Sequence, residues 1–164
     1  EQNKPPIKIF SRGRVYRADY DATHTPMFHQ LEGLWIDKHI TLSHMVDIMN
    51  KFLQLFFEVE SPPQIRCRAS YFPFTEPSFE MDIRCDKSKL KSHGIISIGK
   101  GNDWLEIVGC GMVHPKVLRN VGLSPDTYQG FAFGFGLTRL TMLKYGIHDI
   151  RLLSGGNLDF LKQF

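Results

Sequence analysis

Cysteine is scarce in this 164-residue chain: Cys67, Cys85 and Cys110 are the three it has. The count is odd and no two stand in a C-x-x-C pair, which argues against a disulfide framework or a zinc knuckle. Reduced, mostly buried thiols of a cytosolic protein are the simplest reading. Long hydrophobic runs are lacking as well. No stretch approaches the ~18 consecutive apolar residues of a membrane span. The N-terminus has Pro5-Pro6 early and no apolar core, so nothing there directs secretion. There is no internal repeat and no low-complexity tract. Charge of one sign is also missing: 20 Lys and Arg against 17 Asp and Glu leave +3, too little to argue nucleic-acid binding alone.

What is present is a globular composition, with 42% hydrophobic and 23% charged residues. The length suits one domain, residues 1–164, with a sizeable core. Ile7 to Val15 alternates loosely and runs into Gly13, and Met27 to Asp37 is apolar again, so the two read as antiparallel strands. The polar stretch Asp19 to Pro26 between them is long for a hairpin loop, which often marks function. From Thr41 to Glu58, the spacing of Leu42, Met45, Met49, Phe52, Leu53 and Phe56 puts them on one face of a helix, with Thr41 as N-cap. Pro62-Pro63 closes it.

Period-2 patterns follow. Ile65, Cys67, Ala69 and Tyr71 alternate with Arg66, Arg68, Ser70 and Phe72. Phe79, Met81 and Ile83 alternate with Glu80 and Asp82, and Trp104 to Cys110 is apolar with one acid, Glu106. Arg84 to Asp103 carries Arg84, Lys87, Lys89, Lys91 and Lys100 against Asp86 and Asp103. It reads as a basic hairpin or insertion, either a solvated face or an RNA contact. Pro115 to Val121 is a short helix with Gly122 past its end. Gly130 to Gly136 is a Gly/Phe-rich strand, Leu137 to Tyr145 a helix stopped by Gly146, and Leu158 to Phe164 a last short helix. Antiparallel strands with few helices define an α+β class.

Four segments combine residues that core packing does not need. In the first, Gly13 to Asp19, an arginine such as Arg17 can clamp an anion with its planar fork, or can simply be solvated. In the second, Gln30 and Glu32 face the same side of a strand. An amide beside a carboxylate could bind an ammonium group. His24 and His29 with Glu32 fit no metal-ligand spacing. In the third, Phe72 and Phe74 flank Pro73 and could box a flat apolar ligand or belong to the core. Glu76, between Thr75 and Pro77, could hold a hard cation such as magnesium. In the fourth, Gly134 and Gly136 would let a ligand approach the backbone, and Arg139 sits in the first turn of the next helix, where a nucleotide could meet both. The Lys-Ser/Thr of a Walker loop is absent.

Together the segments resemble the catalytic core of class II aminoacyl-tRNA synthetases, and among them the alpha subunits of bacterial-type phenylalanyl-tRNA synthetase. GRVYRADYDATHTPMFHQLEG is similar to that family's motif 2 and YFPFTEP to its phenylalanine-pocket signature. WLEIVGCGMVHP resembles the strand before motif 3, and GFAFGFGLTRLTMLKYGIHDIR resembles motif 3 itself. The resemblance implies a six- to seven-stranded antiparallel sheet flanked by helices. It also implies a ligase for protein synthesis that activates phenylalanine with ATP and Mg2+ and passes it to tRNA(Phe). The partner would be a beta subunit in a heterotetramer, in the cytoplasm and with no membrane role.

By the same resemblance Arg17 would hold the ATP α-phosphate and Asp19 would face the adenine amino group. His24 would sit by the terminal phosphates, Phe28 would stack on adenine, and Arg139 would bracket the nucleotide beside Gly136. Arg17 and Arg139 would be the catalytic pair. Gln30 and Glu32 would bind the substrate ammonium, Phe72 and Phe74 its ring, and Val113, Ala132 and Gly134 would shape the pocket end. Glu76 would share a magnesium site with the beta subunit, and Glu106 would lie near the phosphates and their magnesium. Thr138 stands where the family usually has Glu. The family's motif 1, the segment completing the amino-acid pocket, and its coiled coil would lie upstream. The fold is therefore expected to be incomplete on the N-terminal side, and the chain alone to ligate poorly. A non-catalytic, synthetase-like binding or regulatory module is the alternative.

Overall fold

The computed structural model describes residues 4–21, 24–86 and 97–163. Its centre is a seven-stranded sheet with every pairing antiparallel. The strands are β1 (Ile7–Tyr16), β2 (Met27–Asp37), β3 (Ile65–Phe72), β4 (Thr75–Asp86), β5 (Ser97–Ile98), β6 (Asp103–Val113) and β7 (Gln129–Gly136). Their spatial order is β1-β2-β7-β6-β4-β3, with the short β5 continuing β3's edge of β4. Sequence-distant β2 and β7 thus lie side by side at the centre.

The strands alternate as period-2 patterning requires. Phe131, Phe133 and Phe135 of β7, Val108 and Cys110 of β6, and Met81, Ile83 and Cys85 of β4 point to one face. There they meet helix α1 (Leu42–Phe57), whose Met45, Met49 and Leu53 are fully buried, and helix α3 (Leu137–Tyr145) through Leu140 and Leu143. Phe52 packs on Phe135 with ring centroids 4.6 Å apart. Burial of this kind contributes about 25 cal/mol per Å² of apolar surface. Leu42, expected on the same face, is the first residue of the helix and is 38% exposed. Thr41 caps the helix as expected, and its N–H donates to His44 Nδ1 at 3.1 Å. Helix α2 (Pro115–Asn120) buries Leu118 against Ile36 and Val113 at one end of the sheet. A 3-10 turn (Ile150–Leu153) and α4 (Leu158–Leu161) finish the chain.

β3 departs from simple alternation. It is an edge strand, so Cys67 is exposed and Tyr71 is 82% exposed, and its register with β4 shifts between Ser70 and Phe72. The basic segment is only partly in view. Arg84 is no loose surface charge: it donates to the Gly101 carbonyl at 2.6 Å, Gln64 Oε1 at 2.7 Å and Asn102 Oδ1 at 2.9 Å. Those bonds staple the base of the segment. Lys87, Lys89 and Lys91 lie outside the described residues.

Candidate active site

The sheet's second face is hollow, and its register says why. One row of paired residues crosses six strands: Ser11, Glu32, Gly134, Gly109, Glu80 and Arg68. The two central positions are glycine, so the middle of the row has no side chains, while carboxylates and a guanidinium rise on either side. The result is a cleft of about 900 Å3, in the range of pockets that enclose small ligands.

The glycines make this space because neighbours already use it. A Cβ on Gly134 would lie 2.4 Å from Gln30 Nε2, and one on Gly109 would lie 2.9 Å from the Phe72 ring. Gln30 and Phe72 therefore fold across backbone where any other residue would block them. Thr75 and Ser78 Oγ atoms lie 2.7 Å apart, and Ser78 also donates to the Thr75 carbonyl at 2.7 Å. Ser78 Oγ in turn accepts the Phe72 N–H. These bonds fix the turn that carries Phe72 and Phe74, whose rings stack with centroids 6.0 Å apart.

Most of the residues singled out in the sequence line this one cleft: Arg17, His24, Phe28, Gln30, Glu32, Phe72, Phe74, Glu106, Val113, Ala132, Gly134, Gly136 and Arg139. Arg17 lies over the Phe28 ring, 4.4 Å from its centroid, in a cation–π contact. His24, in the β1–β2 loop, is held by Asp21 at 2.8 Å through Nδ1, and its Nε2 lies 3.4 Å from Arg139 Nη2. Gly136 ends β7 and caps α3, so the helix's unpaired N–H groups and Arg139 open at the cleft edge.

Two residues are placed elsewhere. Asp19 is outside the lining and sits 3.6 Å from Arg17 Nε. Glu76 is 73% exposed, outside the cleft, and paired with His114 Nε2 at 3.1 Å. Among the described residues no cluster of three or more His, Cys, Asp or Glu could hold a metal ion by itself. Magnesium needs only one or two carboxylates when substrate phosphates complete its shell. Glu106, on the cleft wall, fits that requirement.

A charge network on the β3–β4 side is not legible in the sequence. Asp82 is 2% exposed. Arg68 holds it with a fork, Nε at 2.7 Å and Nη2 at 2.8 Å, and Arg66 binds its Oδ2 at 2.6 Å and 3.0 Å. The Arg68 hydrogen bonds, helped by Arg66, hold the Asp82 carboxyl below its ordinary value against the opposing effect of burial. Arg68 also reaches Glu80 at 2.9 Å and Glu106 at 3.5 Å, and Glu106 reaches Arg139 at 3.8 Å. The signal was charged residues at alternate positions of two adjacent strands; the register that pairs them is not local information. Neither Cys110 nor Cys67 is an activated thiol: burial pushes Cys110 up to about 12 and raises Cys67 as well.

An open antiparallel sheet, its two longest helices on one face and a glycine-floored cleft with two arginines on the other, is the architecture of a class II aminoacyl-tRNA synthetase core. Solved structures share the fold. Pyrrolysyl-tRNA synthetase from Desulfitobacterium hafniense matches with a TM-score of 0.59 and 17% identity, covering 95% of this chain and 48% of that one. The chain belongs to the tRNA synthetases class II core domain (F) family, which matches residues 1–164. It is 53% identical over its whole length to a phenylalanine–tRNA ligase alpha subunit of Shewanella putrefaciens, and 54% identical to that of Bartonella quintana. It spans 45% and 44% of those two proteins, somewhat under half their length.

Proposed function

We propose that this chain is part of the catalytic domain of a phenylalanine–tRNA ligase alpha subunit. The protein would use ATP to convert phenylalanine to phenylalanyl-adenylate and transfer the acyl group to tRNA(Phe). The observation that supports this best is the gathering of two residue sets in one cleft. Arg17, His24, Phe28, Gly136 and Arg139 are suited to a nucleotide. Gln30, Glu32, Phe72, Phe74, Val113, Ala132 and Gly134 are suited to an aromatic amino acid. Identity to named alpha subunits over the entire chain supports the substrate.

The chemistry follows from electrostatics. Negative charge grows on the α-phosphoryl group as the amino-acid carboxylate attacks and pyrophosphate leaves. Arg17 is the guanidinium placed to stabilise that charge, and Arg139 holds the nucleotide from α3. The remaining residues orient the two reactants, which is where much of the acceleration of such a reaction arises. Glu32 and Gln30 take the ammonium group, and the apolar wall of Phe72, Phe74, Val113 and Ala132 takes the ring. Glu106, with nucleotide phosphates, would hold Mg2+, which when bound neutralises phosphate charge. Asp19 would turn to the adenine amino group. Exposed Glu76 would serve a cation site shared with a beta subunit, in a cytoplasmic heterotetramer.

Phenylalanine-dependent ATP–pyrophosphate exchange by the full-length subunit assembled with its beta subunit tests the proposal. Exchange that is lost in Arg17→Ala is expected. No exchange with phenylalanine, or exchange with another amino acid in its place, would overturn it.

A further inference from the structure

Glu106 stands between two guanidiniums, Arg68 at 3.5 Å on one side and Arg139 at 3.8 Å on the other. The two arginines are anchored very differently. Arg68 is fixed by buried Asp82 through a two-point fork and by Glu80 at 2.9 Å. Among the described residues Arg139 has the longer Glu106 contact and the 3.4 Å approach to His24. A group held at two points keeps its place when a ligand arrives, whereas one held by a single long ion pair can exchange partners at little cost.

We propose that Arg68 is a positioning residue for the nucleotide site. Braced by Asp82, it retains the Glu106 carboxylate on the cleft wall while Arg139 exchanges that carboxylate for a phosphate of the nucleotide. The inference rests on the reading that the cleft takes ATP. It assigns Arg68 a task although Arg68 itself lies outside the cleft lining. Without Arg68, Glu106 would have Arg139 as its one cationic neighbour in the cleft, and the carboxylate would compete with the nucleotide for it.

Arg66 supplies the control. It shares Asp82 with Arg68, at 2.6 Å, and stacks over Trp104 with 4.6 Å to the ring centroid, but it makes no ion pair with Glu106. A purely structural role for the Asp82 cluster would make Arg66→Gln and Arg68→Gln equivalent.

The test is calorimetric titration of ATP, at several magnesium concentrations, into the complete enzyme as wild type, Arg66→Gln, Arg68→Gln and Arg68→Lys, with unfolding midpoints recorded for each. Arg68→Gln is expected to weaken ATP binding about tenfold or more, the size of one lost charge-assisted contact. Arg66→Gln, which removes no contact to Glu106, should stay within about threefold. Arg68→Lys, which keeps the charge but not the fork, should fall between them and guards against failure of Arg68→Gln to fold. Equal losses in Arg66→Gln and Arg68→Gln, or wild-type affinity in Arg68→Gln or Arg68→Lys, would overturn the proposal. Wild-type enzyme that binds no ATP would instead overturn the reading of the cleft, and this inference with it.

Discussion

The hydroxyl of Thr138 accepts the backbone N–H of His29 at 3.0 Å. This joins the first turn of α3 to β2 and so sets Arg139, one residue on, against the strand that carries Gln30 and Glu32. At a position where the family resemblance leads one to expect glutamate, the neutral residue has its own structural task. Thr138→Val keeps the shape and removes the acceptor. It should cost about 0.5–1.5 kcal/mol, read as a lower urea midpoint with an unchanged slope.

Gly134 and Gly111 make opposite predictions for the same substitution. A Cβ on Gly134 meets the far end of the flexible Gln30 side chain, whereas a Cβ on Gly111 would lie 2.5 Å from the Pro77 carbonyl oxygen. Gly134→Ala should therefore leave the unfolding midpoint nearly unchanged and displace Gln30, raising the KM for the amino acid about tenfold or more. Gly111→Ala should lower the midpoint, because backbone must move.

Acid stability should depend on Asp82. Its carboxyl is held below the ordinary value by Arg68 and Arg66 in the folded protein. The stability this contributes is present above the unfolded value near ~4 and is lost as pH falls through the lowered folded value. Asp82→Asn should cost about 3 kcal/mol at neutral pH, the low end for breaking a buried pair, since both arginines are partly solvated. The wild type should then approach the variant's stability as the pH is lowered below ~4. Urea midpoints across a pH series would show the two curves converging. Parallel curves would contradict the assignment.

Thiol chemistry should be confined to β3. Cys67 is exposed while Cys85 and Cys110 are buried, and burial pushes Cys110 up to about 12. A maleimide at neutral pH should label only Cys67, slowly, and leave ATP binding intact. Mass spectrometry of the labelled peptides would locate any modification.

The sequence showed most of the strands and helices because their patterning is local. β2, α1 and α3 fall within a residue or two of where alternation, the Thr41 cap and Gly146 put them. The cleft was legible through residues whose types have little use in a core, such as Arg17, Glu32 and Arg139. What stayed hidden depends on register. Nothing local says that Gly109, Gly134 and Glu32 fall in one row, or that Arg68 lies against Asp82 rather than solvent. The exposure of Cys67 and Tyr71 likewise follows from β3 being an edge strand, which its own alternation does not foretell.

The most direct test of the central claim is calorimetric titration of the protein with a non-hydrolysable phenylalanyl-adenylate analogue, because that ligand occupies both halves of the cleft at once. One-to-one binding is predicted. It should be lost in Arg17→Ala, which removes the phosphate contact, and weakened in Phe74→Ala, which removes part of the ring wall. Binding by the complete enzyme that is indifferent to both substitutions, or no binding at all, would contradict it.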